Sequence, residues 1–159
     1  MNTLIVYATK YGCTETCAQT LSKKLTGKVE LCNLKTGKVP DLSQYDKVII
    51  GSSVYIGQIR KEAKAFCSNH LNVLKEKKLG LFICAMQAED VIQTELKTSF
   101  PQELSDVAIV KECFGGEFIL KRMNVLDRFI TKKIAKTEND TSKISEESIN
   151  KFAEQMNKA

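Results

Sequence analysis

Thr3-Leu4-Ile5-Val6-Tyr7-Ala8 runs directly into Thr9-Lys10-Tyr11-Gly12-Cys13-Thr14, and this stretch decides the fold. The first six residues form an almost continuous apolar run, which suits a strand covered on both faces. The next six carry hydroxyls and a glycine, and a helical pattern begins at Cys13. Such a loop between a first strand and a first helix can cradle a phosphate. Thr9 and Thr14 can donate from their hydroxyls, and Gly12 lets the backbone close on the ligand. The first amides of the helix point at the same anion.

Outward from this stretch, strands and helices alternate. The first helix, about residues 13–24, turns Cys17, Ala18, Leu21 and Leu25 inward at helical spacing. A weaker strand follows at Val29–Leu34, then a third at Lys47–Ser53 whose apolar run ends in Gly51-Ser52-Ser53. The pattern predicts a helix over about 61–75, with Ala65, Phe66 and Leu74 inward. Strands four and five are expected at 79–86 and about 107–114. A last helix at 145–158, capped near Ser145, buries Ile149, Phe152 and Met156.

Strict alternation implies parallel pairing with helices on both faces of the sheet. Strands one, three and four are apolar throughout and belong in the centre. Strand two is mixed and strand five carries Lys111 and Glu112, which edge positions tolerate. The expected fold is therefore an α/β three-layer sandwich, a five-stranded parallel sheet in the order 2-1-3-4-5, in one domain over 1–159. In that order a ligand crevice opens at the carboxyl ends of strands one and three. Those ends carry the two most hydroxyl-rich turns of the sequence.

Composition narrows the class. The chain has 159 residues, 43% of them hydrophobic, enough for a packed core. No apolar run reaches the ~18 residues of a membrane helix. No charged-then-apolar leader precedes Thr3, so a cytoplasmic location is expected. The net charge of +5 is concentrated in residues 118–136. That segment holds Lys121, Arg122, Arg128, Lys132, Lys133 and Lys136 against the single acid Asp127. The rest of the chain is balanced, so the charge marks one segment and no nucleic-acid surface is expected. Ile119, Met123, Leu126, Ile130 and Ile134 give the segment an apolar stripe. It reads as an extra basic helix before the last helix, able to meet a partner or an acidic membrane surface peripherally.

Six cysteines, at 13, 17, 32, 67, 84 and 113, contain no C-x2-C pair, and His70 is the only histidine. They are expected to be reduced and structural, without a metal. Other α/β chemistries lack their residues. There is no G-x-x-x-x-G-K-[ST] and no G-x-G-x-x-G. The strands end in Thr9 and Ser53 rather than in the acids of a phospho-acceptor site, and no arginine follows Cys13 before Arg60. What fits is flavin mononucleotide (FMN), its phosphate on the first loop. Its ring would be walled by Val54-Tyr55-Ile56-Gly57 after strand three and Met86-Gln87-Ala88 after strand four.

Three elements in order carry a resemblance. They are T-x-Y-G-x-T at Thr9–Thr14, Y-D-K-V-I-I-G-S-S at Tyr45–Ser53, and V-L-D-R-F-I at Val125–Ile130 with Glu138-Asn139-Asp140-Thr141 beyond it. Nearly the whole chain resembles the flavodoxin-fold flavoproteins, and within them the subgroup that includes menaquinone-dependent protoporphyrinogen dehydrogenase. The resemblance implies that Thr9, Lys10, Tyr11, Gly12, Cys13 and Thr14 hold the FMN phosphate. Ser53, Val54, Tyr55, Ile56 and Gly57, with Met86, Gln87 and Ala88, would frame the ring. The loop after strand four has no aromatic residue and carries Glu89 and Asp90 where the protoporphyrinogen enzymes carry basic residues. The preferred expectation is an electron-transfer protein with a redox partner protein. The alternative is a quinone-linked dehydrogenase of protoporphyrinogen.

Overall fold

A computed structural model describes residues 1–118, 123–129 and 141–159. Lys121, Arg122, Lys132, Lys133 and Lys136 of the basic segment lie outside the described residues, as do Ile119, Ile130 and Ile134.

Among the described residues, five parallel strands form the sheet: β1 (Asn2–Ala8), β2 (Lys28–Asn33), β3 (Lys47–Tyr55), β5 (Lys78–Cys84) and β6 (Val110–Cys113). Their order is β2-β1-β3-β5-β6, and β4 (Gln58–Ile59) pairs antiparallel with the end of β3. Counting the parallel strands alone, this is the expected order 2-1-3-4-5. The central strands β1, β3 and β5 are buried almost end to end, whereas β2 and β6 keep charged residues at the edges.

Two apolar layers cover the sheet. On one face, α1 (Cys13–Ser22) and α7 (Glu146–Lys158) pack Cys17, Ala18, Leu21, Ile149, Phe152 and Met156 against Ile5, Ile49 and Phe82. On the other, α2 (Lys61–Asn69), α3 (Leu71–Leu74), α4 (Glu89–Thr98) and α5 (Gln102–Val107) bring in Phe66, Leu74, Leu96 and Leu104. Gly51 makes one face possible. A Cβ there would lie 2.0 Å from the Phe82 ring, which stacks on Phe114 at 4.6 Å. Ser145 caps α7, its hydroxyl accepting from the Ser148 N–H at 3.2 Å.

Several local readings are corrected. The helix expected over 61–75 breaks at His70, whose backbone leaves the helical region (φ −121, ψ 20) so that Leu71 and Leu74 can turn into the core. Ala65 faces solvent, and Ala63 and Cys67 face inward instead. The strand expected from 107 begins at Val110, because Val107 ends α5. Glu89 and Asp90 form the first turn of α4 rather than a loop, where carboxylates complement the positive helix end.

In the basic segment, residues 125–129 are helical (α6). The stripe expected to bury Met123 and Leu126 together is turned. Met123 and Asp127 face inward, while Leu126 is 65% exposed with Val125 and Phe129. Burying Asp127 gives its carboxylate three strong donors, which outweighs covering one leucine.

Candidate functional site

The parallel register sets the site. Tyr7 pairs with Gly51 and Ala8 with Ser52, while Ser53 pairs with Cys84. The carboxyl ends of β1, β3 and β5 are therefore level, and their three following loops meet above the switch point between β1 and β3.

The first loop is shaped by Gly12, whose left-handed backbone (φ 97, ψ −9) turns the chain into α1. Its N–H donates to the Thr9 hydroxyl at 2.9 Å, closing the turn from within. No side chain caps α1. Thr14 is fully buried and its hydroxyl has no hydrogen-bond partner among the described residues; Ser53 on β3 is half-buried, but its hydroxyl oxygen is buried and likewise unpartnered among them. Buried hydroxyls are ordinarily satisfied, so this pair and the uncapped helix end offer hydrogen-bonding groups that fit a ligand's oxygens.

Over the loop sits Asp127, 3% exposed. Its carboxylate accepts from the hydroxyls of Tyr11 and Tyr55 and pairs with Lys10 Nζ at 2.5 Å. The Lys10 ammonium also lies 3.6 Å from the centre of the Tyr55 ring. Asn124 fixes this corner of α6 by accepting from the Asp127 N–H at 2.8 Å. Burial alone would raise the Asp127 carboxyl; the hydrogen bonds from Lys10, Tyr11 and Tyr55 and the Lys10 charge outweigh it and draw it down to about 2. Burial opposes the Lys10 charge, yet Asp127 carries the ammonium above its ordinary range. Burial, and then the bond to Asp127, raises Tyr11; for Tyr55 the bond to Asp127 leads.

Between these groups lies a cavity of about 120 Å³. Of the residues singled out from the sequence, it is lined by Thr9, Lys10, Tyr11 and Cys13 of the first loop, by Ser53, Val54 and Tyr55, and by Met86. Gly12 and Thr14 belong to the same loop but are not among the lining residues. Ile56 and Gly57 form the tip of the β3–β4 hairpin, both with positive φ (50 and 74), away from the cavity. Gln87 and Ala88 also fall outside it, Ala88 as the residue leading into α4. The lining also includes Cys84, Ala85, Gly116, Glu117, Met123 and Asp127, which the sequence reading missed. Only Asp127 carried a usable signal, as the lone acid of a cationic segment.

A doubly wound parallel sheet with a hydroxyl-bearing crevice at its switch point defines a flavodoxin-like α/β protein. The family model described as "Flavodoxin domain" matches residues 4–145, and the chain belongs to that family. Solved structures agree in fold. The flavodoxin of Megasphaera elsdenii, in its two-electron reduced form, is 17% identical over 99% of both chains with a TM-score of 0.64. A flavodoxin of Streptococcus pneumoniae TIGR4 is 18% identical, covering 98% of this chain and 97% of that one, with a TM-score of 0.56. The Flv1 flavodiiron core of Synechocystis sp. PCC6803 is 16% identical with a TM-score of 0.54. The match covers 99% of this chain but only 36% of that core. No curated protein matches the chain.

Proposed function

We propose that the chain is an FMN-binding electron carrier that works with a redox partner protein. The observation that carries this reading is the pair of unpartnered buried hydroxyls, Thr14 Oγ1 and Ser53 Oγ, beside the uncapped start of α1. A phosphate with its ribityl hydroxyls would satisfy all of them. Thr9, Lys10, Tyr11, Gly12, Cys13 and Thr14 would hold the phosphate, the last by its hydroxyl. Ser53 to Gly57 and Met86 to Ala88 would border the ring.

FMN, when bound, supplies the electron chemistry; the protein supplies orientation, exclusion of water and electrostatics. The cavity of about 120 Å³ is smaller than the roughly 300 Å³ that a cofactor-sized ligand fills. The Asp127 carboxylate, held by Lys10, Tyr11 and Tyr55, lines this cavity, and its release from them would widen the space for FMN. Adding FMN to the cofactor-free protein should quench flavin fluorescence at one equivalent. A purified protein without flavin absorbance that also ignores added FMN would exclude the reading.

A second reading, a quinone-linked protoporphyrinogen dehydrogenase, draws support from Met123 and Asp127, which bring the basic segment to the crevice. Cations on that segment would attract porphyrin carboxylates or a peripheral acidic membrane surface. Among the described residues no helix is long and apolar enough to cross a membrane. The reading predicts oxidation of protoporphyrinogen with a quinone acceptor; turnover no faster than with free FMN excludes it.

A further inference from the structure

Under the crevice floor lies a layer of sulfur. Cys13 opens α1, Cys17 follows one turn later, and Cys84 ends β5 on the adjoining sheet. Their three Sγ atoms all lie within 4.8 Å of one another, and the Cys84 thiol meets Cys17 Sγ at 3.7 Å. All three thiols are free and buried. Cys13 and Cys84 reach the cavity, and Met86 and Met123 add thioethers to its lining.

Packing explains the remaining cysteines. Cys32, Cys67 and Cys113 are separate small hydrophobes, each with its thiol pushed up by burial. Cys13 behaves differently. Hydrogen bonds from the Cys17 and Cys84 thiols, helped by the Glu117 N–H, outweigh burial and hold it well below the usual thiol range. The bond to Cys13, with burial behind it, pushes Cys17 and Cys84 up.

The geometry points to a binding site for a thiophilic d10 cation, Cu(I), formed by Cys13, Cys17 and Cys84 and reached through the crevice. A metal about 2.3 Å from three sulfurs in a plane would space them about 4 Å apart, so this layout needs little rearrangement. Thiolates select soft ions over the oxygen-seeking Mg2+ and Ca2+. A structural Zn2+ site would want a fourth protein ligand, and among the described residues the cluster offers three. No electron moves on binding. The thiol protons of the cluster leave to solvent as three Cu–S bonds form, and the positive end of α1 offsets part of the resulting negative charge.

This site is independent of the FMN reading, since only Cys13 is shared and the test uses cofactor-free protein. Reduced protein is titrated anaerobically with Cu(I) against the chromophoric chelator bicinchoninate. One equivalent should be retained, and copper X-ray absorption should give three sulfur neighbours. Cys17→Ser and Cys84→Ser should each weaken retention more than about a hundredfold, beyond the usual cost of an outer-shell change. Cys67→Ser should leave it unchanged. Loss of all copper from the wild-type chain to the chelator would overturn the proposal. So would nitrogen or oxygen neighbours in place of sulfur, or serine variants that fold and retain copper. The absorption spectrum needs no variant, so it decides even if the substitutions prevent folding.

Discussion

Replacing Asp127 with asparagine keeps the side chain's shape and removes its charge. The wild-type carboxyl is drawn from an ordinary value of 3.8 to about 2 by Lys10, Tyr11 and Tyr55. At roughly 1.4 kcal/mol per pH unit, that difference corresponds to about 2 kcal/mol of pH-dependent stability. The sign follows from the direction. A depressed carboxyl contributes its full stability above its unfolded value near 4 and loses it as pH falls towards 2. Urea unfolding of both proteins at pH 7, 5, 4 and 3 should therefore show wild type losing its advantage below pH 5, while D127N changes less over the same range. Parallel pH profiles for the two proteins would refute the claim that the Lys10–Asp127 cluster is formed in solution.

The same variant also tests what the carboxylate does to the site. If Asp127 must leave before FMN enters, removing its charge lowers the cost of opening by up to about 2 kcal/mol. D127N should then bind FMN tighter, by between about threefold and thirtyfold. Weaker binding would mean that the carboxylate holds the cofactor rather than guarding the site, and the displacement argument would fail.

Thr14→Val and Ser53→Ala should have opposite effects on the two states of the protein. Each should weaken FMN binding by roughly 1–3 kcal/mol while leaving cofactor-free stability equal or higher, because each removes an unsatisfied buried hydroxyl; calorimetric titration and thermal unfolding read the two separately. Lys47, buried on β3, donates to the Met156 carbonyl near the end of α7 at 2.5 Å. Lys47→Met should cost about 1–2 kcal/mol in urea unfolding, and no loss would mean that the charge contributes nothing there. Ile56 holds a left-handed backbone (φ 50) while 74% exposed. Ile56→Asn should raise stability by about 1 kcal/mol, and a lower unfolding midpoint would show that the isoleucine side chain anchors the hairpin.

The fold was legible because its determinants are local. β1, β3 and β5 are continuous apolar runs, and charged β2 and β6 could only be edges. The first loop was legible for the same reason, since strand, glycine and hydroxyls are adjacent in the chain. What could not be read depends on tertiary placement. Nothing near Asp127 in sequence reveals that Lys10, Tyr11 and Tyr55 will meet it from two distant loops. By helical periodicity alone, Leu126 had the better claim to the inward face. Likewise Cys13 read as a phosphate-loop residue and Cys17 as packing, and only the β3–β5 register brings Cys84 to them.

The two candidate sites differ in chemical hardness, yet they share one helix end. Above Cys13, hydroxyls and amides suit the hard oxygens of a phosphate; below it, three sulfurs suit a soft cation. The amides at the start of α1 can stabilise an anion on the loop or the Cys13 thiolate, and the two negative charges oppose each other there. A Cu(I) ion held by three thiolates carries a net charge of −2, so bound copper strengthens that opposition. A phosphate on the loop favours protonated thiols below it. The occupants should therefore disfavour one another, and FMN should bind the copper-loaded protein more weakly than the copper-free one.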